Sequence, residues 1–152
     1  LSSIEEKSLG AIVKSGHRPI QGVLEYCDRI TDQKGLWIKD APGREPEILT
    51  GMAATGAQVM MFSTGRGAPQ GFPSMPVIKI CGNPNTYERM INDMDLNAGR
   101  IITGEKTIEE VADFLGVKAE NTGKAVFSYN FIANFQDIGR FNILKKTVAI
   151  IK

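Results

Sequence analysis

Between residues 36 and 116 the sequence alternates short apolar runs with segments of helical spacing, and the runs stop abruptly in polar, glycine-bearing loops. Leu36–Lys39, Gln58–Ser63 and Pro76–Ile80 read as strands, with a fourth short strand at Arg100–Ile102. Glu45–Ala54 and the stretch from Pro84 through Tyr87, Met90 and Ile91 read as helices, as does the stretch that Thr107 caps. Strands separated by helices pair in parallel through crossovers, and the helices then cover the sheet. The expected fold class is α/β, a three-layer α/β/α arrangement around one mostly parallel, Rossmann-like sheet. With 152 residues, 42% of them hydrophobic and 23% charged, the chain has enough apolar material for a single domain with its own core.

The flanks are patterned more weakly. Ser3 is placed to cap a helix, with Glu6 as its capping-box partner, and Ile4, Leu9, Ile12 and Val13 form the stripe. Gly16 ends it. Pro19 suits the first turn of a second short helix through Val23, Leu24 and Tyr26. Asp32–Gly35 reads as a turn, and Gln58–Ser63 as a strand buried on both faces. Val126–Ile132 and Lys146–Ile151 read as β-rich runs. Leu1-Ser2-Ser3 leads straight into helix-like sequence without an initiator methionine, so the chain is expected to be a piece of a longer polypeptide.

A net charge of +1 gives no footprint for nucleic acid or a membrane surface. Runs such as Val59–Phe62 are far too short to span a bilayer, and no signal peptide pattern opens the chain. Cys27 and Cys81 make neither a disulfide framework nor a zinc motif, and a cytoplasmic setting is expected. Gly65-Arg66-Gly67 is followed by Ala68-Pro69-Gln70-Gly71, which misplaces the third glycine of a dinucleotide fingerprint, and there is no Walker motif.

Chemistry concentrates between Phe62 and Gly99. There, Thr64-Gly65-Arg66-Gly67, Lys79, Asn83, Asp93 and Asp95 follow or end apolar runs. In open parallel sheets, ligands bind in the loops beyond the carboxyl ends of the strands. Glycine-exposed amides, an arginine, a lysine and two carboxylates are suitable parts for holding an anion and a metal. The same residues also serve as turn formers and surface ion pairs, and spacing alone leaves both open. His17, the one histidine, follows a helix-ending glycine and reads as a surface residue.

Seven segments occur together in one order. They are Glu6-Lys7-Ser8-Leu9-Gly10, Asp40-x-Pro-Gly43, Thr50-Gly51, Thr64-Gly65-Arg66-Gly67, Pro76-x-Ile-Lys79, Asn83, and Asp93-Met94-Asp95-x-Asn97-x-Gly99. Over about residues 2–112 the chain resembles the C-terminal part of the altronate/galactarate dehydratase family, which includes a sulfolactate sulfo-lyase. The resemblance implies a longer parent chain, a cytoplasmic homo-oligomer, and removal of water from a sugar acid to give a 2-keto-3-deoxy product. It also implies a divalent metal, Fe(II) or Mn(II). Carried onto this sequence, it makes Lys7, Arg66 and Lys79 the catalytic candidates. Thr64, Gly65, Gly67 and Asn83 become substrate-binding candidates, and Asp93 and Asp95 metal-ligand candidates. Abstraction of a proton beside a carboxylate needs a base, with cations to stabilise the enediolate-like intermediate. Arg66 suits a bidentate clamp on the carboxylate, and Lys7 or Lys79 suits the base or the stabiliser. The remaining domains of the parent chain would be the partners, and a sulfo-lyase or a non-catalytic oligomerisation domain would use the same parts.

Overall fold

The computed structural model describes residues 3–30, 34–116 and 148–151. They belong to two compact units, one within Leu1–Gly56 and Lys145–Lys152, the other within Ala57–Leu144. Each unit is built on a three-stranded parallel sheet flanked by helices. The α/β class and the parallel pairing are as expected, with the strands divided between two sheets.

In the first unit, helix α1 (Ile4–Lys14) precedes strands β1 (Ile20–Leu24) and β2 (Leu36–Lys39). Gly16 follows α1 at φ 70°, a left-handed conformation that ends helices. Helix α2 (Glu45–Thr55) starts with Glu45, Pro46 and Glu47 in its first turn, as the dipole and proline's fixed φ favour. It closes on Gly56 at φ 95°, whose N–H reaches Ala53 and Met52 carbonyls. Ile48, Leu49 and Met52 are its buried apolar residues. Gly51 is buried among them because the Tyr26 ring lies where a Cβ would stand, and the Tyr26 hydroxyl donates to the Glu47 carbonyl. Strand β6 (Val148–Ile151) completes the sheet in the order β1-β2-β6, with Leu36 opposite both Ile20 and Val148.

The expected helix from Pro19 is overturned: Ile20–Leu24 is strand. Proline fits the start of an edge strand as well as a helix, and Ile20 and Val23 are β-branched. Gly22 is the deciding residue, since a Cβ there would fall 2.6 Å from Trp37 Cζ3. The aromatic ring of β2 fills the space that glycine leaves on β1.

In the second unit, β3 (Met60–Thr64), β4 (Val77–Cys81) and β5 (Leu96–Asn97) pair in that order. Helix α3 (Pro84–Arg89) packs on β4 and β5, and a one-turn helix α4 (Gly99–Ile102) follows β5. Residues 108–116 form helix α5. Ile78, Ile80 and Leu96 form the core, with Val111 and Leu115 of α5 packed against them. Each such aliphatic side chain contributes about 1.5–3 kcal/mol when fully buried.

Two further expectations are corrected here. Strand β3 is not buried on both faces: Met60 is buried but Met61 and Ser63 are exposed, because β3 is an edge strand. Arg100–Ile102 is helical, and the third strand is Leu96–Asn97 instead. Leu96 joins the core while Ile102 stays 79% exposed, so the apolar pair Ile101-Ile102 carried no strand. The β-rich run expected at Val126–Ile132 and the first part of the Asp32–Gly35 turn lie outside the described residues. Among the described residues, no helix is long and apolar enough to cross a membrane.

Candidate functional site

The carboxyl edge of the second sheet gathers most of the candidate residues. Thr64, Cys81 and Asn97 stand in register at the ends of β3, β4 and β5. In-register residues of parallel neighbours point to the same face, so the three form one polar row across the edge. Cys81 is buried and its thiol donates to the Asn83 carbonyl at 3.3 Å. The outer two are unusual. Among the described residues, Thr64 Oγ1 and Asn97 Oδ1 are both buried and neither has a hydrogen-bond partner, a state shared by Trp37 Nε1 and Glu47 Oε2. A buried polar atom without a partner costs roughly 1–3 kcal/mol, so a donor supplied by water or a ligand would be favourable at each.

The loop beyond β3 carries Gly65, Arg66 and Gly67, with Gly65 close to Gly82 just after β4. The Gly82 N–H donates to the Thr64 carbonyl at 2.9 Å, which ties the ends of β3 and β4 together. Gly67 has φ 75°, and a Cβ there would meet Met90 Sδ, Met94 Sδ and Thr86 Cγ2, each at 3.4 Å. The glycine thus lets the loop lie against α3 and the turn after it. Arg66 is exposed and makes no ion pair among the described residues.

Asn83 begins α3, and its Oδ1 accepts the Thr86 N–H at 3.1 Å. That oxygen is a helix cap; the rest of the amide stays exposed at the same edge. Lys79 sits in the middle of β4 beside Phe62, half-buried, on the side of the sheet that carries Cys81. Its N–H donates to Asp95 Oδ2 at 2.9 Å, and its carbonyl accepts the Asp95 N–H at 2.9 Å. Asp95 therefore works as a brace between β4 and the start of β5. Asp93 is exposed in the preceding turn. Among the described residues no group of three His, Cys, Asp or Glu side chains comes together to hold a metal ion. With one Asp95 oxygen engaged by backbone, Asp93 and Asp95 do not by themselves fit a divalent metal. Lys7 lies in α1 of the first unit.

Sequence reasoning missed Lys39. It ends β2, it is fully buried, and its ammonium donates to the Glu25 carbonyl at 3.0 Å and to Thr55 Oγ1 at 2.5 Å. The Tyr26 ring centroid is 5.9 Å away, a cation–π distance. Desolvation pushes the Lys39 pKa below that of an ordinary lysine, against a smaller pull upward from Cys27 and Asp28. Nothing local in Leu36-Trp37-Ile38-Lys39 signals this, because the partners come from β1's loop and from α2.

The family model described as "D-galactarate/Altronate dehydratase, C-terminal" matches residues 1–126. The chain is 42% identical over 111 residues to galactarate dehydratase (L-threo-forming) of Escherichia coli K12, covering 73% of this chain and 21% of that protein. It is 38% identical over 116 residues to the (2R)-sulfolactate sulfo-lyase subunit beta of Chromohalobacter salexigens, covering 76% and 30%. It is 38% identical over 99 residues to altronate dehydratase of Bacillus subtilis 168, covering 65% and 20%. The chain thus spans between 20% and 30% of the length of these relatives.

Proposed function

The chain belongs to the D-galactarate/altronate dehydratase C-terminal family, and on that footing we propose that it supplies the carboxylate-binding wall of a sugar-acid lyase. The reaction is elimination of water from a polyhydroxy carboxylate. A base takes the proton beside the carboxylate, the electron pair forms the new carbon–carbon double bond, and the hydroxyl on the next carbon leaves as water with one added proton. The enol so formed tautomerises to a 2-keto-3-deoxy acid. The observation that carries this reading is Thr64 Oγ1, buried without a hydrogen-bond partner among the described residues at the carboxyl edge of a parallel sheet, directly before the Gly65-Arg66-Gly67 loop.

In this reading Arg66 grips the substrate carboxylate with two parallel hydrogen bonds, and amides freed by Gly65 and Gly67 help to hold it. Thr64 Oγ1 takes a substrate hydroxyl. Lys79, on the same side of the sheet, stabilises the enediolate-like charge or accepts the proton. Lys7, in the first unit, is a catalytic candidate through the family likeness alone. Asn83 serves first by starting α3 at this edge and offers its amide nitrogen second. A divalent metal, Fe(II) or Mn(II), takes its donors from the greater part of the family's length that this chain does not span, with Asp93 as the carboxylate here left open to it. The protein works in the cytoplasm as a homo-oligomer of such longer chains.

A second reading has a specific warrant in the sulfo-lyase relative. Sulfite would leave in place of water, and the same cations would serve.

The test is made on the intact protein that carries this domain, reconstituted with metal without oxygen. Aldonic and aldaric acids are assayed for 2-keto-3-deoxy acid, and sulfolactate for sulfite. Arg66→Ala is expected to lower kcat/KM about 10- to 100-fold, the worth of a charge-assisted pair of about 1.5–3 kcal/mol. Lys79→Ala is expected to lower kcat itself. Residues 1–152 alone are expected to bind substrate without turnover. Unchanged turnover in both variants would make these loops structural.

A further inference from the structure

The second unit holds a cleft apart from the Thr64–Gly67 loop. It measures about 290 Å³ and opens beside β5, between α3, α4 and α5. Tyr87 and Phe114 supply apolar walls, and Asp95, Asn97, Arg100, Lys106 and Glu110 supply polar ones, with one Asp95 oxygen accepting the Lys79 N–H. Most of the charge there is already engaged. Lys106 Nζ lies 3.1 Å from Glu110 Oε1, and Glu110 Oε2 accepts the Thr107 N–H at 2.9 Å. Arg100 differs. Only its Nε approaches a carboxylate, Glu105 at 3.7 Å, and the side chain is 53% exposed. Its two terminal amines carry no ion pair among the described residues. Beside it, Asn97 Oδ1 is buried without a donor, and the Tyr87 hydroxyl makes no hydrogen bond among the described residues.

What this arrangement can recognise follows from the groups left over. A guanidinium end with two parallel N–H donors fits a carboxylate. An amide oxygen lacking a donor fits a hydroxyl. Two flanking rings suit the carbon chain between them. Asn97 also joins this cleft to the row at the sheet edge, since it stands in register with Cys81 and Thr64. Two strand spacings, about 10 Å, separate Thr64 from Asn97. That is the scale of an extended six-carbon acid with its terminal oxygens.

We propose that the cleft receives the far end of the substrate, with Arg100 binding a second carboxylate and Asn97 the neighbouring hydroxyl. Arg100 is then the residue that favours a dicarboxylic over a monocarboxylic sugar acid. The inference rests on the sugar-acid reading above but places a contact outside the Thr64–Gly67 loop. The experiment is a titration of the ¹⁵N-labelled chain with galactarate and with altronate, followed residue by residue. Galactarate is expected to shift the amides of both the Thr64–Gly67 loop and Tyr87, Asn97 and Arg100, and to bind at least tenfold more tightly than altronate. Arg100→Gln is expected to weaken galactarate at least tenfold and so abolish that preference, and Tyr87→Phe to weaken galactarate without altering the fold. Shifts confined to Thr64–Gly67 overturn the cleft and leave the sugar-acid reading intact. Shifts confined to the cleft overturn the placement of the cleft at the far end of a loop-bound substrate and count against the loop. Equal affinity for the two acids, or no shift with either, overturns the inference.

Discussion

Among the described residues, Lys39 is a charge held without a carboxylate contact: a carbonyl, a hydroxyl and an aromatic ring surround it. Removing one acceptor should therefore be costly. Thr55→Val keeps the side chain's shape and deletes the oxygen that the ammonium reaches, so it is expected to lower stability by about 1–3 kcal/mol in urea unfolding. The pH dependence has a definite sign. The folded chain gives up the Lys39 proton at a lower pH than the unfolded chain, whose value is that of an ordinary lysine, 10.5. Between those two values the unfolded state holds more protons, so stability rises with pH across that window. Lys39→Met, which removes the group, is expected to lack this rise when urea midpoints at pH 7 and pH 10 are compared. None of this was legible in the sequence. A lysine at a strand end reads as a solvated residue, and only the meeting of Glu25, Thr55 and Tyr26 in space makes it a buried one.

Strand β5 has two ladder residues, too few to hold its place by pairing alone. The Asp95 carboxylate supplies the missing tie through the Lys79 N–H, and the main chain of Asp95 adds a second bond to the Lys79 carbonyl. Asp95→Ala is expected to destabilise the second unit by about 1.5–3 kcal/mol, the range for a hydrogen bond to a charged group. Measured by urea unfolding with a chelator present, that loss belongs to the brace and not to a bound metal. An unchanged midpoint would remove the brace from the account. Elements were legible where their signals are local. Helix α2 has its acidic first turn, its early proline and its terminal glycine, while β2 and β4 are apolar runs bounded by turn residues. Strand β1 and the turn at Arg100 were not legible, because Gly22 is explained by Trp37 across the ladder and Leu96 by a core assembled from α5. The candidate site was half legible. Its loop residues announced themselves through glycine and charge, whereas the row from Thr64 through Cys81 to Asn97 exists only once β3, β4 and β5 are in register.

The chain as a whole is threaded unevenly. The second unit is one continuous stretch, but the first draws β1 and β2 from one end of the sequence and β6 from the other. Strand β2 is the middle strand, so β6 covers an edge that would otherwise stand open. A chain cut after residue 126, where the family match ends, is expected to show faster amide hydrogen exchange in Leu36–Lys39 and no change in Val77–Cys81. Equal protection of β2 in both chains would show that β6 adds nothing to it. The same threading sets an order of events during synthesis. The strands of the second sheet end at Asn97 and leave the ribosome before Val148 is made, so that sheet is free to form while the first still lacks a strand. At translation rates of about 5–20 residues per second, β2 waits on the order of 5–20 s for its neighbour. For that interval a nascent apolar edge is on offer to any passing strand, which makes the first unit the place where chaperone capture or misassembly would begin.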